Sequence, residues 1–240
     1  AALFDEANQP SESFRDALLI HLDTWAVQEL RIASPTVTVT LQQQENRWRL
    51  MQPIQDAAGR AEVNRLLSSL SNLPIQRFLN DEPPVEELAA WGFDHPKVEL
   101  TIREPAAPSI TVFFGKPLPD DAALVYAKRS DEAPLYAVKA EAVEKLLESP
   151  NGLRAKACFE FVPTSVSKVA LTREASGWTL ERSAEGWNDS STGMAAEREM
   201  VDAFLKDLLG LEISGFEDEA PTDVGRYGLS PPQAVISVWT

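Results

Sequence analysis

Chemistry that needs a base, a thiolate or a soft metal ligand has few places to start in this chain, whose 240 residues include two histidines and one cysteine. His95 follows Asp94 in the run Gly92-Phe93-Asp94-His95-Pro96, and an imidazole beside a carboxylate has the parts of a general base. An Asp ahead of an X-Pro step is also ordinary turn chemistry, and that is how we read the run. His21 lies between Ile20 and Leu22 and reads as the solvent face of a strand. Cys158 sits beside Phe159 in an apolar neighbourhood, with no histidine near it, and reads as a buried or half-buried structural thiol. Three such residues in unrelated places make no zinc-type ligand set. Ser165-Val166-Ser167-Lys168 matches the Ser-x-x-Lys spacing of some acyl-transfer enzymes, a chemistry that needs Ser and Lys one helical turn apart. Here the run opens a predicted strand, so the match is read as coincidence.

Carboxylates cluster at Asp81-Glu82 with Glu86-Glu87, at Asp120-Asp121, and at Glu217-Asp218-Glu219 with Asp223. Paired carboxylates can hold Ca²⁺ or perform glycoside hydrolysis. None of these clusters has the alternating Asp/Asn spacing with glycine of a calcium loop, and acids just ahead of a short helix favour its N-terminus, so they read as solvated caps. The chain has no Gly-x-Gly-x-x-Gly, Walker loop, Gly-x-Ser-x-Gly or His-Glu-x-x-His run. We therefore assign no catalytic, cofactor-binding or metal residue, and the expectation is a protein that is not an enzyme.

The elements that would carry any site are organised by an internal repeat. Phe14, Ile20, Leu22, Val27, Leu30, Ile32 and Trp48 recur at one constant spacing as Leu153, Phe159, Phe161, Val166, Val169, Leu171 and Trp187. One residue is then lost, and Val63, Leu66, Leu67, Leu70 and Leu73 meet Val201, Phe204, Leu205, Leu208 and Leu211. After two more losses, Trp91-Gly92-Phe93-Asp94-His95-Pro96 meets Tyr227-Gly228-Leu229-Ser230-Pro231-Pro232, and Val98, Leu100 and Ile102 meet Ala234, Ile236 and Val238. Small loop deletions produce such a drift. The reading is a polar leader over 1–13, a first unit over 14–152 and a second over 153–240. Thr240 corresponds to Glu104, so residues 105–152 have no second copy; the second unit is expected to be truncated, with further residues beyond it. The register also bears on the histidines: His21 corresponds to Glu160 and His95 to Pro231.

Periodicity predicts the elements of the first unit. Strands are expected over 27–32, 36–41 and 47–51, an amphipathic helix over 60–73 ended by Pro74, a short strand over 75–79 and a short helix over 85–90. A hairpin over 97–103 and 109–115 follows, then strands over 123–128 and 135–138 and a closing helix over 140–147. Gly92 and Gly228 are expected at positive φ. Trp25, Trp48, Trp91, Trp178 and Trp187 are expected in the core, and Trp239 exposed. The fold class is α+β: two tandem related units, each a mostly antiparallel sheet packed with one main amphipathic helix and short extra helices, the second truncated.

Composition narrows the function classes. Lys plus Arg number 22 against 37 Asp plus Glu, a net charge of −15, which argues against nucleic acid as a partner and against docking on an anionic membrane. No stretch approaches the apolar length of a membrane helix. The chain opens on Ala1 without an initiator Met, so residues upstream of it are expected, and these leave room for an anchor or a signal.

The run Trp48 … Val63-x-x-Leu66-Leu67-x-x-Leu70-x-x-Leu73 … Trp91-Gly92-Phe93-Asp94-His95-Pro96 … Val98-x-Leu100 resembles the bacterial domain-of-unknown-function 4340 family. So do Phe114-Gly115-Lys116, Val125-Tyr126-Ala127, Leu135-Tyr136-Ala137-Val138 and the link Leu153-Arg154 before Phe159-x-Phe161. Trp91 stands where the family usually has Tyr, and Ser230-Pro231-Pro232 lacks its Asp. The resemblance spans 14–240. It implies an ectodomain outside the cytoplasm, on the periplasmic side, tethered by one N-terminal membrane helix and sometimes accompanying ABC-type export or gliding systems; it implies no activity, catalytic residue or cofactor. The expected function is a non-enzymatic scaffold or protein-interaction module with an envelope or transporter component as its partner. The alternative is a carbohydrate- or small-ligand-binding module in a cleft between the units that holds Trp91 or Tyr227.

Overall fold

The computed structural model describes residues 15–105, 107–174 and 176–240; the expected leader over 1–13 lies outside them. The chain divides into two compact units after Ala155. Sequence reading set the division before Leu153, but this segment is bound into unit one. The Gly59 N–H donates to the Leu153 carbonyl at 2.8 Å and the Ala155 N–H to the Ala57 carbonyl at 2.8 Å. The buried Arg154 guanidinium donates to Asp56 at 2.6 Å.

Unit one runs β1 (Glu29–Ala33), β2 (Thr38–Gln44), β3 (Arg47–Gln52), β4 (Asp56–Ala57), α1 (Arg60–Ser71), β5 (Arg77–Asn80), a 3₁₀ turn (Val85–Glu87), β6 (Val98–Arg103), β7 (Ile110–Pro117), β8 (Leu124–Arg129), β9 (Leu135–Lys139) and α2 (Ala140–Lys145). Its nine strands form one sheet in the order β4-β3-β2-β1-β6-β7-β8-β9-β5, antiparallel at every pairing. Alternation selects the faces: Leu30, Ile32, Val39, Leu41, Leu50, Leu100 and Val112 point into the core, while Thr38 and Thr40 do not. Val63, Leu67 and Leu70 of α1 bury against them, each contributing about 1.5–3 kcal/mol of transfer free energy. The helix ends two residues short of the expected 73, where the Asn72 side chain and backbone N–H both donate to the Ser68 carbonyl.

Unit two runs β10 (Lys168–Arg173), β11 (Gly177–Ser183), β12 (Gly186–Asp189), β13 (Ala195–Ala196), α3 (Arg198–Leu209), a 3₁₀ turn (Gly225–Tyr227) and β14 (Ala234–Trp239). Its five strands lie in the order β13-β12-β11-β10-β14, again antiparallel throughout. This is the order β4-β3-β2-β1-β6 of unit one. The register matches as well: Leu30 faces Leu41 and Ile102 in one, and Val169 faces Leu180 and Val238 in the other. Gly92 and Gly228 take φ of 88° and 72°. Chain composition and backbone together make this an α+β protein of two antiparallel sheets with few helices.

Two contacts tie β7 and β8 into unit one. Gly115 runs against the Trp91 main chain: the Lys116 N–H donates to the Trp91 carbonyl at 2.9 Å, and a Cβ on Gly115 would lie 2.2 Å from that oxygen. Arg129, at the end of β8, donates to the Leu19 carbonyl at 3.0 Å and grips Asp131 through two bonds of 3.0 and 2.6 Å. It also lies 3.3 Å from Glu132, which accepts the Tyr136 hydroxyl at 2.8 Å.

Gly115→Ala is expected to destabilise unit one by about 2–3 kcal/mol, because the backbone must move to clear a carbonyl; urea unfolding followed by circular dichroism measures it. Arg129 holds the Asp131 carboxyl below the usual carboxylate range, chiefly through its hydrogen bonds. A depressed folded pKa gives stability that is present above the unfolded value near 4 and lost as pH falls through the folded one. Asp131→Asn is therefore expected to flatten the acid limb of the stability curve below about pH 4. Equal slopes in the variant and the parent would refute that assignment.

Candidate functional site

Unit one shows what covers each position of its twin. Leu19 and Val98 are fully buried and Leu73 nearly so, in a core completed by β7, β8, β9 and α2. Their counterparts in unit two are Cys158, Ala234 and Leu211, and all three are exposed. Half-buried Phe93 corresponds to Leu229, exposed by 60%, and half-buried Trp91 to Tyr227, exposed by 41%. The change is graded. Val166, Val169, Trp187, Val201 and Leu205, nearest β10 and α3, stay buried, whereas the residues toward β14 open to solvent. β6 is flanked by β1 and β7, while β14 is flanked by β10 alone. Its sequence, AVISVW, has no charge and no proline. A long apolar edge strand of this kind offers unpaired N–H and C=O groups in a row.

Two expectations are corrected here. Cys158 is exposed, not buried: its N–H donates to the Leu211 carbonyl as the Leu19 N–H does to that of Leu73, but the side chains packed about Leu19 have no counterpart among the described residues. Trp25 is 86% exposed rather than in the core. It sits on a tight turn in which Asp23 accepts its N–H through the side chain and that of Ala26 through the backbone, lifting the indole off the sheet. Trp48 and Trp187 are buried, Trp91 and Trp178 half-buried, and Trp239 is 44% exposed with the Lys168 ammonium 5.1 Å from its ring.

The other singled-out residues stay apart. His21 is exposed on an irregular segment and paired with Asp16. His95 is exposed, and the Asp94 carboxylate accepts the His95 backbone N–H at 2.9 Å, turn bonding with no imidazole role. The Ser165 hydroxyl donates to the Val162 carbonyl at 2.8 Å. Lys168 pairs instead with Glu181 at 3.0 Å, and that hydrogen bond holds the Glu181 carboxyl low. Asp81 binds Arg15, Asp120 and Asp121 bracket Arg77, Asp218 binds Arg226, and Asp223 caps the Gly225 N–H. Among the described residues no group of three His, Cys, Asp or Glu side chains could hold a metal, and no helix is long and apolar enough to cross a membrane.

One feature escaped the sequence reading. Each unit has a small cleft between its second hairpin and the start of its main helix. In unit one it encloses about 320 Å³ and is lined by Trp25, Gln43, Asn46, Trp48, Arg60 and Asn64. In unit two it encloses about 370 Å³, and its lining includes Arg182, Glu185, Trp187, Arg198 and Asp202. The two linings correspond through the repeat register, a signal already present in the paired Trp48/Trp187 and Arg60/Arg198. Their chemistry differs: amides and an exposed indole in the first, paired charges in the second.

The chain belongs to the family described as Domain of unknown function (DUF4340), whose profile matches residues 1–96 and 48–232. Comparison with curated proteins and with solved structures finds no match.

Proposed function

We propose that this DUF4340 protein is a non-enzymatic interaction module built from two copies of one α+β unit. The observation that carries this reading is the repetition itself: the two units share one strand order and one register, and repeated units commonly provide extended binding faces. The excess of acid, with a net charge of −15, favours a protein partner over nucleic acid. With the family's common arrangement, we place the module outside the cytoplasm on an N-terminal membrane tether, accessory to an ABC-type export or envelope system.

A second reading, a carbohydrate- or small-ligand-binding module, draws on the unit-one cleft, where the exposed Trp25 indole stands beside the amides of Gln43, Asn46 and Asn64. An aromatic face with planar amides suits a sugar ring.

Affinity capture from gently cross-linked membranes, comparing the parent with Leu211→Ser/Leu229→Ser, tests the first reading. The parent is expected to recover an envelope or transporter protein at near-stoichiometric yield, and the double variant at least fivefold less with an unchanged circular dichroism spectrum. Equal recovery by both would remove these two exposed leucines of unit two from the interaction. Glycan-array binding by the parent that Trp25→Ala abolishes would put the second reading first.

A further inference from the structure

We propose that the cleft of unit one binds a sugar ring that carries a carboxylate, and that its twin in unit two is closed to the same ligand. This rests on the carbohydrate reading and names its ligand class. The two clefts are built on one frame. Gln43 stands across the hairpin from Trp48 as Arg182 stands across from Trp187. Arg60 and Arg198 are the first residues of α1 and α3, with Asn64 and Asp202 one turn further on. With Asn46 against Glu185 at the hairpin turn, the linings correspond at five positions. The buried indole and the arginine at the helix start are kept, and the other three positions differ in kind.

Those differences occupy the groups of unit two. The Arg182 guanidinium lies 4.7 Å from the centre of the Trp187 ring, with donors on the Pro163 and Thr164 carbonyls at 2.9 and 3.4 Å. Arg198 reaches Asp202 at 3.5 Å. The aromatic face is thus covered and both cations are engaged. In unit one the neutral Gln43 takes the place of Arg182, and amides replace both acids. Arg60 donates to the Asn46 carbonyl at 2.8 Å, which fixes it beside the hairpin turn, and among the described residues no carboxylate pairs with it. In a chain of net charge −15, no Asp or Glu lines this cleft. The neighbouring Asp23 carboxylate accepts the Trp25 backbone N–H instead.

Each part of the cleft has its match in a sugar acid. The exposed Trp25 indole offers an apolar face to the C–H side of a pyranose ring. The amides of Gln43, Asn46 and Asn64 both donate and accept, as ring hydroxyls do. The planar Arg60 guanidinium has donors left for a carboxylate. A volume of about 320 Å³ is at the small end of ligand pockets and suits one ring. A neutral sugar would leave Arg60 unanswered, and a bare anion would leave the indole and the amides unused.

The probes are methyl glucuronide and methyl glucoside, which differ at one carbon, titrated into the whole chain while the tryptophan indole N–H signals are followed by NMR. The glucuronide is expected to shift the Trp25 signal saturably and to bind about fivefold more tightly than the glucoside, the scale of one exposed charge pair. The Trp187 signal is expected to stay in place. Arg60→Gln should erase the preference and leave glucoside binding within about twofold of the parent. Asn64→Asp, which sets beside Arg60 the acid that Arg198 already has, should erase it too. Trp25→Ala should remove binding of both sugars. All three positions are exposed, and a spectrum otherwise identical to the parent's checks each variant's fold. Equal affinity for the two sugars, or a preference that survives Arg60→Gln, overturns the sugar-acid assignment and leaves the carbohydrate reading standing. Equal shifts at Trp187 and Trp25 overturn the distinction between the clefts. A chain that binds neither sugar overturns the proposal and the carbohydrate reading together.

Discussion

Each unit depends on one pairing between strands distant in sequence. β1 is bonded on one side to β2, its immediate successor, and on the other to β6, which returns only after β3, β4, α1 and β5 have been laid down. Leu30 sits at the crossing, between Leu41 and Ile102, with no exposure at all. A slip of one residue would turn Leu30 and Ile32 to solvent and bring Glu29 and Arg31 inward. The hydrophobic pattern and the long return thus fix each other. The same crossing in unit two, at Val169, is equally closed although most of its surroundings are thinner.

Much of this was legible in residues whose environment repeats. The strands around Trp48, the helix stripe Val63-Leu67-Leu70 and the 98–103 hairpin strand have side chains that alternate or recur at helical spacing, and burial follows that spacing directly. Trp25 and Cys158 were misread because type alone was used. An indole on a turn pinned by Asp23 cannot reach the sheet, and a thiol in an apolar run stays exposed when it falls outside the packed cluster, here the one around Val166 and Leu205. The hairpin clefts were not legible, because they depend on how a turn and a helix start approach one another and not on any local pattern.

The two units also differ in how far their polar contacts are built. In unit one, Arg129 gathers Asp131, Glu132 and the Leu19 carbonyl into one knot that anchors the segment leading into β1. Burial and the bond to Glu132 push the Tyr136 hydroxyl well above its ordinary range, so it remains a proton donor to that carboxylate. The segment around Cys158 in unit two keeps the equivalent backbone bond to Leu211, and no such clamp is found there among the described residues.

The opposite edges of each sheet are unlike. β4 and β13 are two residues long, too short to template a neighbouring strand, whereas β14 runs for six. Strand addition is therefore blunted at the β4 and β13 edges, where a neighbouring chain would find only two residues to pair with. Each sheet carries at that side its own guard against templated growth.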